Sequence, residues 1–214
     1  MTSLFVTEIY KSVQGESSFA GLPCSFIRLS GCPLRCRWCD TSYSFKEGNA
    51  LLIGEILKKI KELQVPLVEI TGGEPLAQEN CSQLIDELLA NNYQVLLETG
   101  GSLPIQSLPP KTHIIMDLKC PGSGMADKNL FENISFIKPT DEIKFVVASK
   151  SDFLWSKEII AKYNLTEKAQ LLFSPAWGLV KPQDLVEWLL ESSLPARLNL
   201  QQHKYIWSPR KKGV

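Results

Sequence analysis

The sequence predicts an α/β protein built as an incomplete, splayed parallel β/α barrel, and three observations carry that prediction. Short apolar runs of strand length alternate with segments whose apolar residues recur at helical spacing. Nearly every polar or glycine-rich motif falls just after one of those runs, and in parallel α/β sheets ligands bind at the C-terminal edge of the strands. Seven such runs in 214 residues fall short of the eight units of a closed barrel, which takes about 250 residues.

Phe5 to Gly21 mixes short apolar pieces with the turn Gln14-Gly15-Glu16-Ser17-Ser18, a loop with side chains to offer. Cys24 to Leu29 reads as a buried strand interrupted by Arg28. A guanidinium there must find an anion, either in a structural ion pair or in a ligand carboxylate that its bidentate fork would clamp. Ile53, Ile56, Leu57, Ile60 and Leu63 mark an amphipathic helix that Pro66 stops. Leu67–Ile70 follows as a strand leading into Thr71-Gly72-Gly73-Glu74-Pro75, then a helix over Leu84–Leu89, then the strand Gln94–Leu97 ending at Glu98-Thr99-Gly100-Gly101. His113–Met116 runs into Asp117-Leu118-Lys119-Cys120-Pro121, and Ile143–Val147 precedes a helix from Trp155 to Tyr163. Leu171–Phe173 enters Ser174-Pro175, Pro182 opens a helix through Leu190, and Arg197–Leu200 leads to Gln201-Gln202-His203-Lys204.

With 44% hydrophobic residues and no linker or repeat, the chain is expected to form a single domain over 1–214. Lys and Arg number 23 and so do Asp and Glu, which leaves no bulk field to draw in nucleic acid or an anionic membrane and favours a small substrate. The N-terminus lacks a basic segment followed by a long apolar run, and nowhere do 18 apolar residues follow one another, so a cytoplasmic location is expected. Six cysteines do not demand disulfides in a chain that can build a core; Cys24, Cys81 and Cys120 read as free thiols.

The other three, Cys32, Cys36 and Cys39, lie in one loop, Ser30 to Thr41. A closed zinc site needs four protein ligands and no fourth lies nearby, although Cys120 or His203 could complete one from a distance. Three cysteines can instead hold a four-iron cluster and leave one iron open to a small molecule. Cys, three residues, Cys, two residues, Cys, with an aromatic residue before the last, resembles the signature of the radical S-adenosylmethionine superfamily, here Cys32, Cys36, Trp38 and Cys39. The resemblance implies the same splayed barrel, a 4Fe-4S cluster on the three thiols, S-adenosylmethionine on the open iron, and Trp38 beside the adenine. It assigns Gly72, Gly73 and Glu74 to the methionine amino group. Glu98, Asp117, Leu118, Lys119 and Ser174, at later strand ends, together with Cys39 and Asp40, complete the expected cofactor contacts.

Within the superfamily the chain resembles the ring-contracting enzymes of 7-deazapurine biosynthesis over almost its whole length: Val13-Gln14-Gly15-Glu16, Arg28, Cys39-Asp40-Thr41, Thr71 and Gln202-His203-Lys204. The resemblance implies conversion of 6-carboxy-5,6,7,8-tetrahydropterin to 7-carboxy-7-deazaguanine with loss of ammonia, after a 5′-deoxyadenosyl radical takes hydrogen from C6. It implies substrate contacts by Val13, Gln14, Gly15, Glu16, Arg28, Thr71, His203 and the C-terminal Val214, with Mg²⁺ held by Thr41. An electron donor such as flavodoxin or ferredoxin, and a homodimer, are implied as well. Taken from its sequence alone, Thr41 reads as a cap or turn residue and His203 as a surface or satisfied core histidine. A glycyl-radical-enzyme activating protein shares the cluster motif and acts on a protein; a metal-stabilised binding module shares only the cysteines.

Overall fold

A computed structural model describes residues 2–214 of the chain. Nine strands form one sheet: β1 (Ser3–Val13), β2 (Pro23–Leu29), β3 (Asn49–Leu52), β4 (Leu67–Gly72), β5 (Gln94–Thr99), β6 (His113–Asp117), β7 (Glu142–Val147), β8 (Gln170–Pro175) and β9 (Ala196–Leu198). Their spatial order is β3-β1-β2-β4-β5-β6-β7-β8-β9. From β2 to β9 every pairing is parallel, and these are the seven strands expected. β1 and β3 add an antiparallel flank that the sequence did not announce. A register shift between Val6 and Glu8 breaks the alternation of β1, so its apolar residues do not keep one period.

Four helices carry the crossovers: α1 (Ile53–Leu63), α2 (Cys81–Ala90), α3 (Lys150–Tyr163) and α4 (Pro182–Ser192); a four-residue α5 (His203–Ile206) follows β9. α1 buries Ile53, Ile56 and Ile60 on one face, as its spacing requires. α3 begins five residues before the expected Trp155, because the Ser149 side chain accepts the Asp152 N–H at 3.2 Å and starts the helix ahead of its apolar repeat. The links β5–β6 and β6–β7 hold no α-helix; the second is a chain of 3-10 turns. His203 opens α5 instead of ending a strand, since β9 stops at Leu198.

The pleat sorts the strand residues into two environments. Ile27, Leu29, Val68, Ile70, Val95 and Leu97 face outward onto α1 and α2, while Ile143, Phe145, Val147, Leu171 and Phe173 pack with residues of α3 and α4. On the concave side the N-terminal halves of the strands are plugged by Cys24, Phe26, Val65, Leu67, Leu96 and Ile115. Towards the C-terminal ends the inward positions turn polar: Arg28, Glu69, Thr71, Glu98, Asp117 and Lys144. Apolar below and charged above, the interior is a floored cup. β9 and β3 remain at opposite edges of the sheet. The gap is bridged by hydrogen bonds from Gln202 N–H to the Gly15 carbonyl (2.8 Å) and from Ser17 N–H to Asn199 Oδ1 (2.7 Å).

Candidate active site

The cup opens into a cavity of about 210 Å³. Cys32, Cys36 and Cys39 line one wall, all unpaired and half-buried. Cys32 Sγ accepts the Leu34 N–H at 3.4 Å, and Cys39 Sγ lies 3.7 Å from Thr41 Oγ1. Among the described residues no three His, Cys, Asp or Glu side chains converge as they would around one ion; the sulfurs flank a common space, as a polynuclear cluster requires. The backbone beside them leaves no slack. A Cβ at Gly73 would stand 2.2 Å from the Gly31 carbonyl oxygen and 2.8 Å from Cys32 Cβ, and one at Gly72, whose φ is +156°, would stand 2.2 Å from the Leu29 carbonyl oxygen. Only glycine lets the end of β4 approach the cysteine loop so closely. The donor set, its spacing and this cradle fit a thiolate-held cluster.

Glu74 serves the fold. It is fully buried and absent from the cavity wall; its carboxylate accepts from Gly100 N–H (2.7 Å), Thr99 Oγ1 (2.9 Å) and Leu76 N–H (3.1 Å), while its own N–H reaches Gly31 O at 2.8 Å. It staples β4, β5 and the cysteine loop together. Leu118 and Ser174 are also not brought to the wall. The pleat turns Leu118 into the outer core between Asp117 and Lys119, and Ser174 Oγ is buried, accepting the Asn199 Nδ2–H at 2.8 Å.

The remaining expected residues do converge. Val13, Gln14, Gly15, Glu16, Arg28, Trp38, Asp40, Thr41, Thr71, Gly72, Gly73, Glu98, Asp117, Lys119, His203 and Val214 all line the cavity. Thr41 stands at the N-cap of a 3-10 turn, Ser42–Phe45, yet its side chain makes no capping bond; its hydroxyl meets the Cys39 thiol instead. The anion that Arg28 requires is found within the chain: Nε donates to Glu8 at 2.8 Å and Nη2 to Tyr10 Oη at 3.0 Å. Among the described residues Nη1 has no protein partner, so a second anion can dock on that edge. His203 is kept neutral at neutral pH, since burial outweighs the pull of Glu16 and Asp40. Partial burial of Asp40 opposes ionisation, but Lys204, 2.6 Å away, holds its carboxyl below the usual carboxylate range.

Two buried groups went unremarked in the sequence. Lys144, on β7, is ion-paired with Glu98 and with Glu16 (2.9 Å), and Asp117 stands 3.9 Å away. Burial alone would lower its ammonium's pKa, but Glu16 and Glu98 together raise it well above the ordinary lysine value. Glu69, on β4, is hydrogen-bonded by Gln14 Nε2 and lies close enough to Glu98 and Glu16 to feel their charge. Desolvation, reinforced by Glu98, pushes its carboxyl up to about 8, so it carries a proton at neutral pH. The one available signal was a charge inside an apolar run, Val68-Glu69-Ile70 and Ile143-Lys144-Phe145, the same signal that drew notice to Arg28.

Glu69 yields a prediction. An unfolded chain loses the Glu69 proton near the ordinary value of 4.5, while the folded chain keeps it to about 8. Between those values the native state binds more protons, so this group makes stability fall as pH rises. Glu69→Gln should flatten that part of the stability curve, measured by urea unfolding at several pH values between about 5 and 8; an unchanged slope would show that Glu69 is ionised in the fold.

A three-cysteine loop at the C-terminal rim of a floored parallel β/α sheet defines a radical S-adenosylmethionine enzyme by class, and the model described as the Radical SAM superfamily matches residues 26–115. The 7-carboxy-7-deazaguanine synthase of Chlorobaculum tepidum is 44% identical over 214 residues, covering 99% of this chain and 97% of its own. That of Koribacter versatilis is 44% identical over 224 residues, covering 98% and 99%. The chain belongs to the 7-carboxy-7-deazaguanine synthase family. Among solved structures, QueE from Escherichia coli superposes with a TM-score of 0.78 at 24% identity over 94% of this chain and 95% of that one, which shows the shared fold. Streptococcus suis SuiB, crystallised with S-adenosylmethionine, matches 79% of this chain and 44% of its own at a TM-score of 0.53 and 15% identity.

Proposed function

We propose that the chain converts 6-carboxy-5,6,7,8-tetrahydropterin to 7-carboxy-7-deazaguanine with release of ammonia. The observation that carries this reading is full-length similarity to synthases of that name, joined to a single cavity in which the cysteine loop faces Arg28, Gln14, Thr71 and His203. Cys32, Cys36 and Cys39 would hold the 4Fe-4S cluster, with Trp38, Asp40, Gly72, Gly73, Glu98, Asp117 and Lys119 around S-adenosylmethionine. Bound there, the two supply a one-electron reductive cleavage that delivers a hydrogen-abstracting carbon radical to the substrate.

The protein's part is to bind, orient and exclude water. The free edge of Arg28 takes the substrate carboxylate, backed by Glu8, which keeps the guanidinium in place. Gln14, Glu16, Thr71 and neutral His203 meet the polar edge of the ring, and the protonated Glu69 keeps an additional negative charge off the cavity floor. Thr41, whose hydroxyl makes no capping bond, would hold Mg²⁺, which needs few protein oxygens and keeps several waters. The enzyme works as a homodimer in the cytoplasm, with an external one-electron donor. Activation of a glycyl-radical protein finds no support among the relatives, which are synthases by name.

The direct test is anaerobic incubation of reconstituted protein with S-adenosylmethionine, reductant, Mg²⁺ and the pterin. The ring-contracted product is expected, and cofactor cleavage without it would overturn the assignment. Arg28→Lys keeps the charge and loses the fork, so substrate affinity should weaken by about 1.5–3 kcal/mol while S-adenosylmethionine affinity holds. Equal losses in both, by calorimetry, would make Arg28 a purely structural partner of Glu8. Thr41→Ala should lower turnover and abolish most of the response to added Mg²⁺, and Thr41→Ser should restore much of both; a fully Mg²⁺-responsive Ala variant would place the metal elsewhere.

A further inference from the structure

We infer that Glu69 is a specificity-determining residue of the proposed reaction: its cavity-facing carboxyl oxygen hydrogen-bonds the ring carbonyl of the pterin while Arg28 holds the carboxylate. The contact rests on the proposed function, whose substrate it presupposes.

A carboxyl is a costly choice at this position. Glu69 is buried on the inward face of β4, and its register neighbours across the sheet are Phe26 and Leu96 of the apolar plug. An aliphatic side chain would complete the plug without burying a polar group. Among the described residues Glu69 forms no salt bridge, since the buried ammonium of Lys144 is taken by Glu16 and Glu98. Gln14 fixes how the carboxyl is used. Gln14 Oε1 accepts the Glu16 N–H, a group that can only donate, so the amide turns its nitrogen to Glu69 Oε2. Oε2 is thereby engaged as an acceptor, which leaves Oε1 for the proton that burial keeps on the group. Oε1 has no partner among the described residues, and Glu69 lines the cavity. Holding Gln14 uses Oε2 alone; Oε1 is an O–H donor with no protein group to receive it.

Position selects the group that Oε1 meets. Across β2 and β4, Arg28 pairs with Thr71 and Phe26 with Glu69, so Glu69 lies two residues, about 6.6 Å, below the level of Arg28 on the same wall. In the pterin, the C6 carboxylate and the C4 carbonyl stand on one long side of the bicycle, on either side of N5. With the carboxylate on the free edge of Arg28, that side runs down the β2–β4 wall and brings the carbonyl to Glu69. The ring then lies beside Phe26, which also lines the cavity, and an aromatic surface next to one aimed polar group suits a flat heterocycle. Oε1–H donates to the carbonyl, and the second lone pair of Oε2 can accept the adjacent ring N3–H.

The test compares two stable ligands on reconstituted holoenzyme by calorimetry: pterin-6-carboxylate, with a carbonyl at C4, and 2,4-diaminopteridine-6-carboxylate, with an amino group there. The native carboxyl can serve both, since it can donate to the carbonyl or accept from the amino group. Glu69→Gln keeps an oxygen for Gln14 and turns an N–H to the cavity, so it can only donate. That variant should bind pterin-6-carboxylate within about threefold of the native affinity and the diamino acid about tenfold or more weaker than native protein does, because two donors then face each other. Glu69→Leu should weaken pterin-6-carboxylate about tenfold or more, while S-adenosylmethionine affinity stays within about twofold in both variants. Equal changes for the two ligands in Glu69→Gln would make Glu69 a support for Gln14 alone and overturn the inference, as would undiminished pterin binding by Glu69→Leu. Product formation by native protein separates this contact from the reading it rests on. Ring-contracted product with no change of ligand preference in Glu69→Gln would remove the contact and leave the proposed function standing. The change of preference without any product from native protein would refute the proposed function and leave the contact.

Discussion

Replacing Cys32, Cys36 or Cys39 by Ala will yield folded protein that loses its cluster and cofactor cleavage together. The three thiols sit half-buried in a loop outside every strand and helix, and their removal opens no core cavity. Native protein reconstituted under anaerobic conditions should carry about four iron and four sulfide per chain, and each variant should lose most of both. Cleavage should drop by orders of magnitude, because two remaining ligands cannot fix a cluster with one iron held open. Cys24→Ala and Cys81→Ala serve as controls: both thiols are buried in the core, away from the cavity, so these variants should lose stability and keep iron. Stoichiometric zinc without sulfide in the native protein would refute the cluster assignment.

Lys144→Met will give the largest loss of stability among single substitutions at the cavity. Lys144 is 4% exposed, and its partners Glu16, Asp117 and Glu98 are 14%, 10% and 26% exposed. Taking away the shared cation leaves three carboxylates facing one another in a poorly solvated cup. Breaking a buried pair by removing one partner costs about 3–5 kcal/mol. The sign of the pH dependence follows from Glu16. Burial, the largest single influence, would raise its pKa, but Lys144 together with His203 and a hydrogen bond from Gln201 outweighs it and lowers it below the ordinary 4.5. That stabilisation is present above the unfolded value and is lost as pH falls through the folded one. Without Lys144 the carboxyls should take up protons at higher pH, so the gap between native and variant stability should narrow on acidification towards about pH 4. Urea unfolding at about pH 7 and 4.5 measures both; a constant gap would show that the cation contributes nothing beyond packing.

The seven parallel strands and the faces of α1 and α2 were legible because burial between layers leaves an unbroken apolar run or a helical repeat in the chain itself. The cysteine loop was legible for a related reason, since three ligands of one group lie within eight residues. β1 escaped because its bulge shifts the alternation within the strand, and the β6–β7 link because its 3-10 turns leave no period to read. The site was less legible than the fold. Glu74 has the look of a ligand contact in a glycine-rich strand end, and only the folded chain shows it buried off the cavity wall with Thr99, Gly100 and Leu76 donating to its carboxylate.

By itself, the sequence determined which segments become the seven parallel strands and the four crossover helices, which three thiols cluster, and the presence of charges at strand ends, because each depends on residues close together in the chain. Tertiary structure alone decided which of those charges face one another. Arg28 meets Glu8 across an antiparallel strand, Lys144 gathers carboxylates from three other segments, and Glu69 keeps its proton beside Glu98. Those outcomes depend on pleat direction and on pairing between distant strands, and electrostatic energy in a cavity depends on distances that no local pattern contains.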